Sequence, residues 1–258
     1  MIDLHCHVLP GIDDGPTTIE SSLALARAAV AAGTRTLVAT PHVSWRYPNS
    51  AQDIAQLVAE LNERLLAEEV ALEVRAGAEI ALTRAADISP KELAGLGLGG
   101  GPWLLVEPPF SPIASGLDAQ LLALQGQGHR IVLAHPERCP AFHRDPEMLA
   151  GLVDQGVITS ITAGSLVGQF GERARRFALS LAQQGMMHNV ASDAHDEIQR
   201  APGASDQLER CGLSPLAEWL TCAVPAAILE GRDTIPPRPS VSLENVGSAP
   251  RSWWHPRG

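Results

Sequence analysis

The first sixteen residues, Met-Ile-Asp-Leu-His-Cys-His-Val-Leu-Pro-Gly-Ile-Asp-Asp-Gly-Pro, set His5 and His7 two apart in a β-rich run, with Asp13 and Asp14 in the turn that follows. Residues i and i+2 of a strand share a face, so both imidazoles point one way and Cys6 the other. Two imidazoles at a strand end, with carboxylates in the next turn, make half of a metal site. His-x-His alone equally fits two histidines held by ordinary hydrogen bonds. The rest of the chain must therefore supply more ligands. It offers His42, Glu79, Glu107, His135, Asp193 and His195, each just past an apolar β-rich run.

Those runs alternate with helical patterns. After the first strand, Pro16 suits an early helical position. Ile19, Leu23, Ala26 and Val30 recur at helical spacing up to a stop at Gly33. Strands are expected at Thr34 to Ala39, Ala71 to Ala76, Trp103 to Val106, Arg130 to Ala134, Val157 to Ile161 and His188 to Ala191. Helices are expected at Ala51 to Glu68, Leu117 to Leu124, Pro146 to Gln155 and Arg173 to Gln184, with weaker helical signals over Ser205 to Glu230. Ser89 to Pro102 reads as loop. Alternation of this kind implies an α/β fold with parallel strands and right-handed crossovers. About seven such units favour a closed barrel over an open doubly wound sheet, and no glycine-rich nucleotide fingerprint is present. In a barrel of this type the C-terminal strand ends share one rim, where active sites lie. The scattered histidines and carboxylates then become neighbours in a multinuclear centre.

Composition limits the alternatives. The chain of 258 residues is 45% hydrophobic but only 4% aromatic, so its core must be built mainly from Ala, Leu, Val and Ile. A net charge of −10 argues against non-specific binding to nucleic acid or anionic membranes. Cys6, Cys139, Cys211 and Cys222 form no CxxC pair and read as reduced thiols of a cytoplasmic protein. No signal-peptide pattern opens the chain, and Leu93 to Val106 is too short and glycine-rich for a membrane span. A barrel is expected over residues 1–235. Residues 236–258 are expected to form a Pro-rich tail, flexible or wrapped on a neighbour.

The motifs Ile-Asp-Leu-His-Cys-His with Gly-Ile-Asp-Asp-Gly, Ala-Thr-Pro-His, Gly-Ala-Glu-Ile, Leu-Leu-Val-Glu, Leu-Ala-His-Pro-Glu-Arg-Cys, Ile-Thr-Ala-Gly-Ser-Leu-Val-Gly-Gln-Phe-Gly and Val-Ala-Ser-Asp-Ala-His-Asp carry a specific likeness. Over roughly Met1 to Pro202 the chain resembles the polymerase-and-histidinol-phosphatase (PHP) superfamily. Within it, the chain is similar to the manganese-dependent protein-tyrosine phosphatases of bacterial capsule and exopolysaccharide operons. The resemblance implies a distorted (β/α)7, TIM-like barrel with three divalent ions at the C-terminal rim, Mn2+ foremost, with Fe or Zn as alternatives. It assigns His5, His7, Glu79 and Asp193 to one ion, and has Glu79 bridge to a second held by Glu107 and His135. Asp14, His42 and His195 then hold the third. It selects Asp14 over Asp13. It also implies phosphate contacts from Arg138 and Arg200. The departure from the common pattern is Val43, where a second polar residue is frequent.

Imidazoles and carboxylates without thiolate suit Mn, Fe or Zn. With three divalent ions, the four carboxylates leave a local charge of about +2, which attracts a phosphate dianion. A hydroxide bridging two ions is a ready nucleophile for phosphomonoester hydrolysis. Guanidinium forks match phosphate oxygens, although a surface salt bridge is the plainer reading of each arginine. A thiolate phosphatase needs Arg six residues after its cysteine, and the four cysteines lead instead to Ile12, Asp145, Ala217 and Ile228. His129, His143, His188 and His255 fall off the rim. Arg46 and Tyr47 read as a solvated loop, Gly164 and Ser165 as a tight turn. The expected substrate is a phosphotyrosine protein, by resemblance the tail of a polysaccharide-biosynthesis tyrosine kinase. Two readings compete with it: a small-molecule phosphatase, such as one for histidinol phosphate, and a metal-stabilised scaffold without activity. A homo-oligomer is left open.

Overall fold

The computed structural model describes residues 1–112, 115–243 and 246–247. His255 and most of the expected tail lie outside them. Among the described residues nine strands pair in parallel: β1 (Ile2–Cys6), β2 (Thr36–Ala39), β3 (His42–Val43), β4 (Glu73–Ala76), β5 (Glu79–Ala81), β6 (Trp103–Glu107), β7 (Arg130–Ala134), β8 (Ile158–Thr162) and β9 (Asn189–Ala191). They form a sheet β1-β2-β4 and a sheet β3-β5-β6-β7-β8-β9. The strand pairing thus stops short of the closed barrel expected from the sequence.

Two chain breaks divide the sheets. Thr40-Pro41 separates β2 from β3, and proline has no N–H to give a ladder. Gly77-Ala78 separates β4 from β5 at the same level. A Cβ on Gly77 would lie 2.7 Å from Val38 Cγ1 and 3.1 Å from Leu98 Cδ2, so only glycine lets the chain pass. Each early strand therefore pairs in one sheet with its first half (β2 with β4) and in the other with its second (β3 with β5). The seam between β1 and β9 is held by a Cys6–Ala194 bridge, with Asp193 N donating to His5 O and His7 N to Ala194 O, each at 2.8 Å.

Parallel strands covered on both faces should be apolar throughout. Accordingly Leu37, Val38, Leu104, Leu105, Ile131, Val132 and Leu133 are fully buried. Helices pack outside. The first covers Ile19–Ala31, later than Pro16 indicates, because Thr18 and Ser21 form a reciprocal capping box that fixes the start. The helix Ala51–Ala67 is capped by Ser50. Its Asn62 bonds both backbone groups of Val74 (Nδ2 to Val74 O 2.8 Å, Val74 N to Oδ1 3.1 Å), which closes the outer edge of β4. Ser89 to Pro102 is not all loop: Ser89 caps a turn of helix, Pro90–Gly95, with proline at its first position. The start of the expected tail lies on its own body, with Trp219 Nε1 donating to Pro236 O at 3.0 Å and Arg238 to Ala182 O at 2.9 Å.

Candidate metal centre

His5, His7, Asp14, His42, Glu79, Glu107, His135, Asp193 and His195 converge at the C-terminal ends of the strands. Four sets have ligand atoms within 4.8 Å of one another: His7, Asp14, His42 and His195; His5, His7 and Asp193; His5, Glu79 and His135; and His42, Glu79 and Glu107. His5 of β1 and His7 just past its end come together, with Nε2 atoms 3.3 Å apart. The pairing of β1 with β2 shifts register between Asp3 and Cys6, an irregularity of the kind that re-aims side chains beside a site.

Glu79 is the hub. Its Oε2 lies 3.3 Å from His5 Nε2, 3.3 Å from His7 Nε2 and 3.0 Å from His42 Nδ1. Its Oε1 lies 2.7 Å from His135 Nε2. Burial alone would raise this carboxyl, but the His5 charge and hydrogen bonds from His135, His42 and His5 hold it well below the usual range. Asp193 faces two ways. Its Oδ1 is 3.4 Å from His5 Nε2 and 3.6 Å from His7 Nε2. Its Oδ2 accepts from Arg138 Nη1 at 2.6 Å and lies 2.6 Å from Arg200 Nη2. Both arginines thus stand at the site, bound to a candidate ligand.

His42 also faces two ways, with Nδ1 toward Glu79 and Nε2 3.5 Å from Asp14 Oδ1. The sequence-based division placed it with Asp14 and His195 alone. Asp14 is 48% exposed and marks the open side. Glu107 is pushed up to about 7, by burial first and by the Glu79 charge second. Burial likewise lowers His135 and His195, outweighing the acidic partner of each.

His135 (φ 32°) and Asp193 (φ 52°) adopt left-handed backbone, unusual for non-glycine residues. Each is fixed by its own N–H, donated to Ser160 O and to His5 O respectively, both at 2.8 Å. Strain concentrated at two convergent residues is a mark of a working site.

The donor set fits divalent ions. Five imidazoles and four carboxylates, without thiolate, match Mn, Fe or Zn chemistry. His195 Nε2 is buried and faces Asp14 Oδ1 at 3.4 Å without a well-formed hydrogen bond, as suits two ligand atoms that converge on a cation. Asp13, weighed only as a substitute for Asp14, instead orients ligands. Its Oδ2 is 2.6 Å from His7 Nδ1 and accepts from His42 N at 3.0 Å, an outer partner that fixes the imidazole. The Asp-Asp pair was its only signal.

Sequence reasoning also missed the bracing under the site. Asp3, fully buried, accepts from His5 N and Ser192 N. Glu137, fully buried and pushed by burial up to about 7, accepts from Ser165 Oγ at 2.7 Å and Thr162 N at 3.1 Å. Tyr47 stacks on His42 at 5.7 Å, so the Arg46-Tyr47 loop meets the site. His188 accepts from Thr159 N at 3.1 Å, and His143 donates to Glu137 O at 2.6 Å, both away from the cluster. Cys139 is buried, which pushes its thiol up.

The family described as capsular polysaccharide synthesis, CpsB/CapC, matches residues 1–217. The tyrosine-protein phosphatase YwqE of Bacillus subtilis is 38% identical over 199 residues, covering 76% of this chain and 78% of its own. The putative tyrosine-protein phosphatase CapC of Staphylococcus aureus is 32% identical, covering 78% of this chain and 79% of its own. A solved structure from work on YwqE of Bacillus subtilis and CpsB of Streptococcus pneumoniae, described as metal-dependent tyrosine phosphatases, superposes with a TM-score of 0.81. It is 34% identical and covers 94% of this chain and 100% of its own. Dihydropyrimidinase from Brevibacillus agri, at 13% identity and a TM-score of 0.58, shares the fold alone.

Proposed function

Because the chain belongs to the CpsB/CapC family of capsular polysaccharide synthesis, we propose that it is a metal-dependent protein-tyrosine phosphatase. The observation that carries this reading is the cluster of nine ligand-type side chains with two arginines at its edge. Three divalent ions, Mn2+ foremost, would be held by His5, His7, Glu79 and Asp193, by Glu79, Glu107 and His135, and by Asp14, His42 and His195. Glu79 supports a bridging role, since both its oxygens face imidazoles. Bound there, such ions would supply a water-derived nucleophile at neutral pH and positive charge for the phosphoryl oxygens.

The chain's own groups do the rest. Asp193 holds Arg138 and Arg200 side by side, where their remaining N–H groups can take phosphoryl oxygens. Arg138 and Arg200 are only partly buried, so the side of each guanidinium turned away from Asp193 stays within reach of a substrate. Asp13 keeps His7 in one tautomer and orientation. A phenolate leaves with a pKa near 10, so tyrosine esters need less protonation than serine esters. The partner would be a phosphotyrosine segment of a polysaccharide-biosynthesis kinase. No helix of the described residues is long and apolar enough to cross a membrane. The free cysteines suit the cytoplasm. The nine strands would be the halves and wholes of seven, in a distorted PHP-type barrel joined at the β1–β9 seam.

The test compares kcat/KM of the Mn-loaded protein on a phosphotyrosine peptide, its phosphoserine counterpart and histidinol phosphate, before and after chelation. The phosphotyrosine peptide should be preferred and chelation should abolish turnover. A preference for histidinol phosphate would replace the protein-phosphatase reading with the small-molecule one.

A further inference from the structure

Among the described residues, three large apolar side chains stand exposed on loops that follow strands at the site end: Trp45 after β3, Phe110 after β6 and Ile198 after β9. Of these, Phe110 touches the cluster. Its ring stacks on His135, with centroids 5.5 Å apart and planes at 25°. It is 52% exposed, a cost in water unless something covers it.

The Arg138 guanidinium carbon lies 5.2 Å from the Phe110 ring centre and 4.3 Å from that of Phe170. Phe170 is also 5.7 Å from the Arg200 guanidinium. It is seated close against Gly164, where an added Cβ would come within 3.2 Å of its ring. Two rings thus flank the arginines that would hold phosphate. A monoester with its phosphoryl oxygens on those arginines must direct its ester group outward, past the rings. A short alkyl group leaves them wet, whereas a phenyl group can stack on them.

We infer that Phe110 and Phe170 receive the aromatic ring of an aryl phosphate monoester and set the preference for phenolic over aliphatic esters. This rests on the phosphatase reading above. The role belongs to substrate contact, so it should discriminate between esters rather than alter turnover generally.

The experiment uses the full chain loaded with Mn2+, as wild type, Phe110→Ala, Phe110→Tyr and Phe170→Leu. Phenyl phosphate and glycerol phosphate serve as substrates. Phenylphosphonate and methylphosphonate serve as calorimetric ligands. Phe110→Ala should lose about tenfold in kcat/KM on phenyl phosphate, chiefly through KM, and less than about twofold on glycerol phosphate. Phenylphosphonate should bind it about tenfold more weakly, with methylphosphonate unchanged. Phe110→Tyr should restore both, and Phe170→Leu should repeat the selective loss. Equal losses on both esters, or none, would overturn the inference. A wild type that turned over neither ester would sink the phosphatase reading instead, and the phosphonate pair would still decide the role of the rings.

Discussion

Burying a carboxylate is costly unless positive charge compensates it, and Glu79 is 1% exposed with four histidine nitrogens within 3.3 Å. Removing its charge while keeping its shape should strike the centre as a whole. Glu79→Gln is expected to lower kcat/KM on a phosphotyrosine peptide by about 10²–10³-fold, the size seen when a central electrostatic group is lost. Cys139→Ser should stay within about twofold, because that thiol is buried, pushed up by burial, and hydrogen-bonded to Pro109 O. Kinetics on both variants, with metal content measured alongside, give the check. A dead Cys139→Ser beside an active Glu79→Gln would mean thiolate chemistry. These residues were legible because histidine and carboxylate after successive strands is a pattern of residue types. Asp13 was less so, since choosing between adjacent aspartates needs their direction in space. Phe110 carried no signal, because a single phenylalanine after a strand looks the same whether it packs inward or waits at a rim, and Phe170 stood only as one letter of a longer motif that does not say which way its ring faces.

At the scale of elements, the alternation of strand and helix could be read from periodicity, since parallel strands covered on both faces leave continuous apolar runs. The breaks within strands could not. Pro41 and Gly77 look like strand ends, yet the chain continues past each into a second short strand carrying His42 or Glu79. The closed barrel was expected from the number of units, whereas pairing depends on how each broken strand divides its partners. Gly77 makes this testable. In Gly77→Ala the new Cβ meets Val38 Cγ1 at 2.7 Å, forcing β2 and β4 apart just before Glu79. The variant should lose roughly 1–3 kcal/mol of stability, the usual cost of overpacking. Its activity should fall more than that of a variant destabilised equally at a distant site. Denaturant unfolding and metal-loaded turnover check the two effects separately. Unchanged stability would show that the breaks are not held by this crossing.

For the whole molecule the decisive quantity is charge. The chain carries −10, and its centre gathers four of its carboxylates into one small space. In the metal-free protein, protons must do the balancing. Burial opposes a charge on His7, but hydrogen bonds to Asp13, Asp193 and Glu79 raise it well above the ordinary imidazole value. Burial likewise opposes a charge on His42, and Glu79 raises it. A group whose folded value exceeds its unfolded value of about 6.5 stabilises fully below that pH and loses its contribution as pH climbs through the folded value. Glu107 and Glu137, held near 7, have already given up part of theirs on the way. His135 and His195 are lowered, so their effect on stability is spent below pH 6.5. The metal-free protein should therefore melt at progressively lower temperature from pH 6.5 to 8. Ions act in the opposite sense, because they displace ligand protons and bind more tightly as pH rises. At free metal one hundredfold above its Kd, a single site adds about 2.7 kcal/mol. In a chain of this size that is about 5–10 °C in Tm. The difference in Tm between Mn-loaded and chelated protein should then widen between pH 6.5 and pH 8. Thermal melts of both forms across that range give the measurement. A difference that is absent, constant or shrinking with pH would mean that the clustered side chains are not a metal centre.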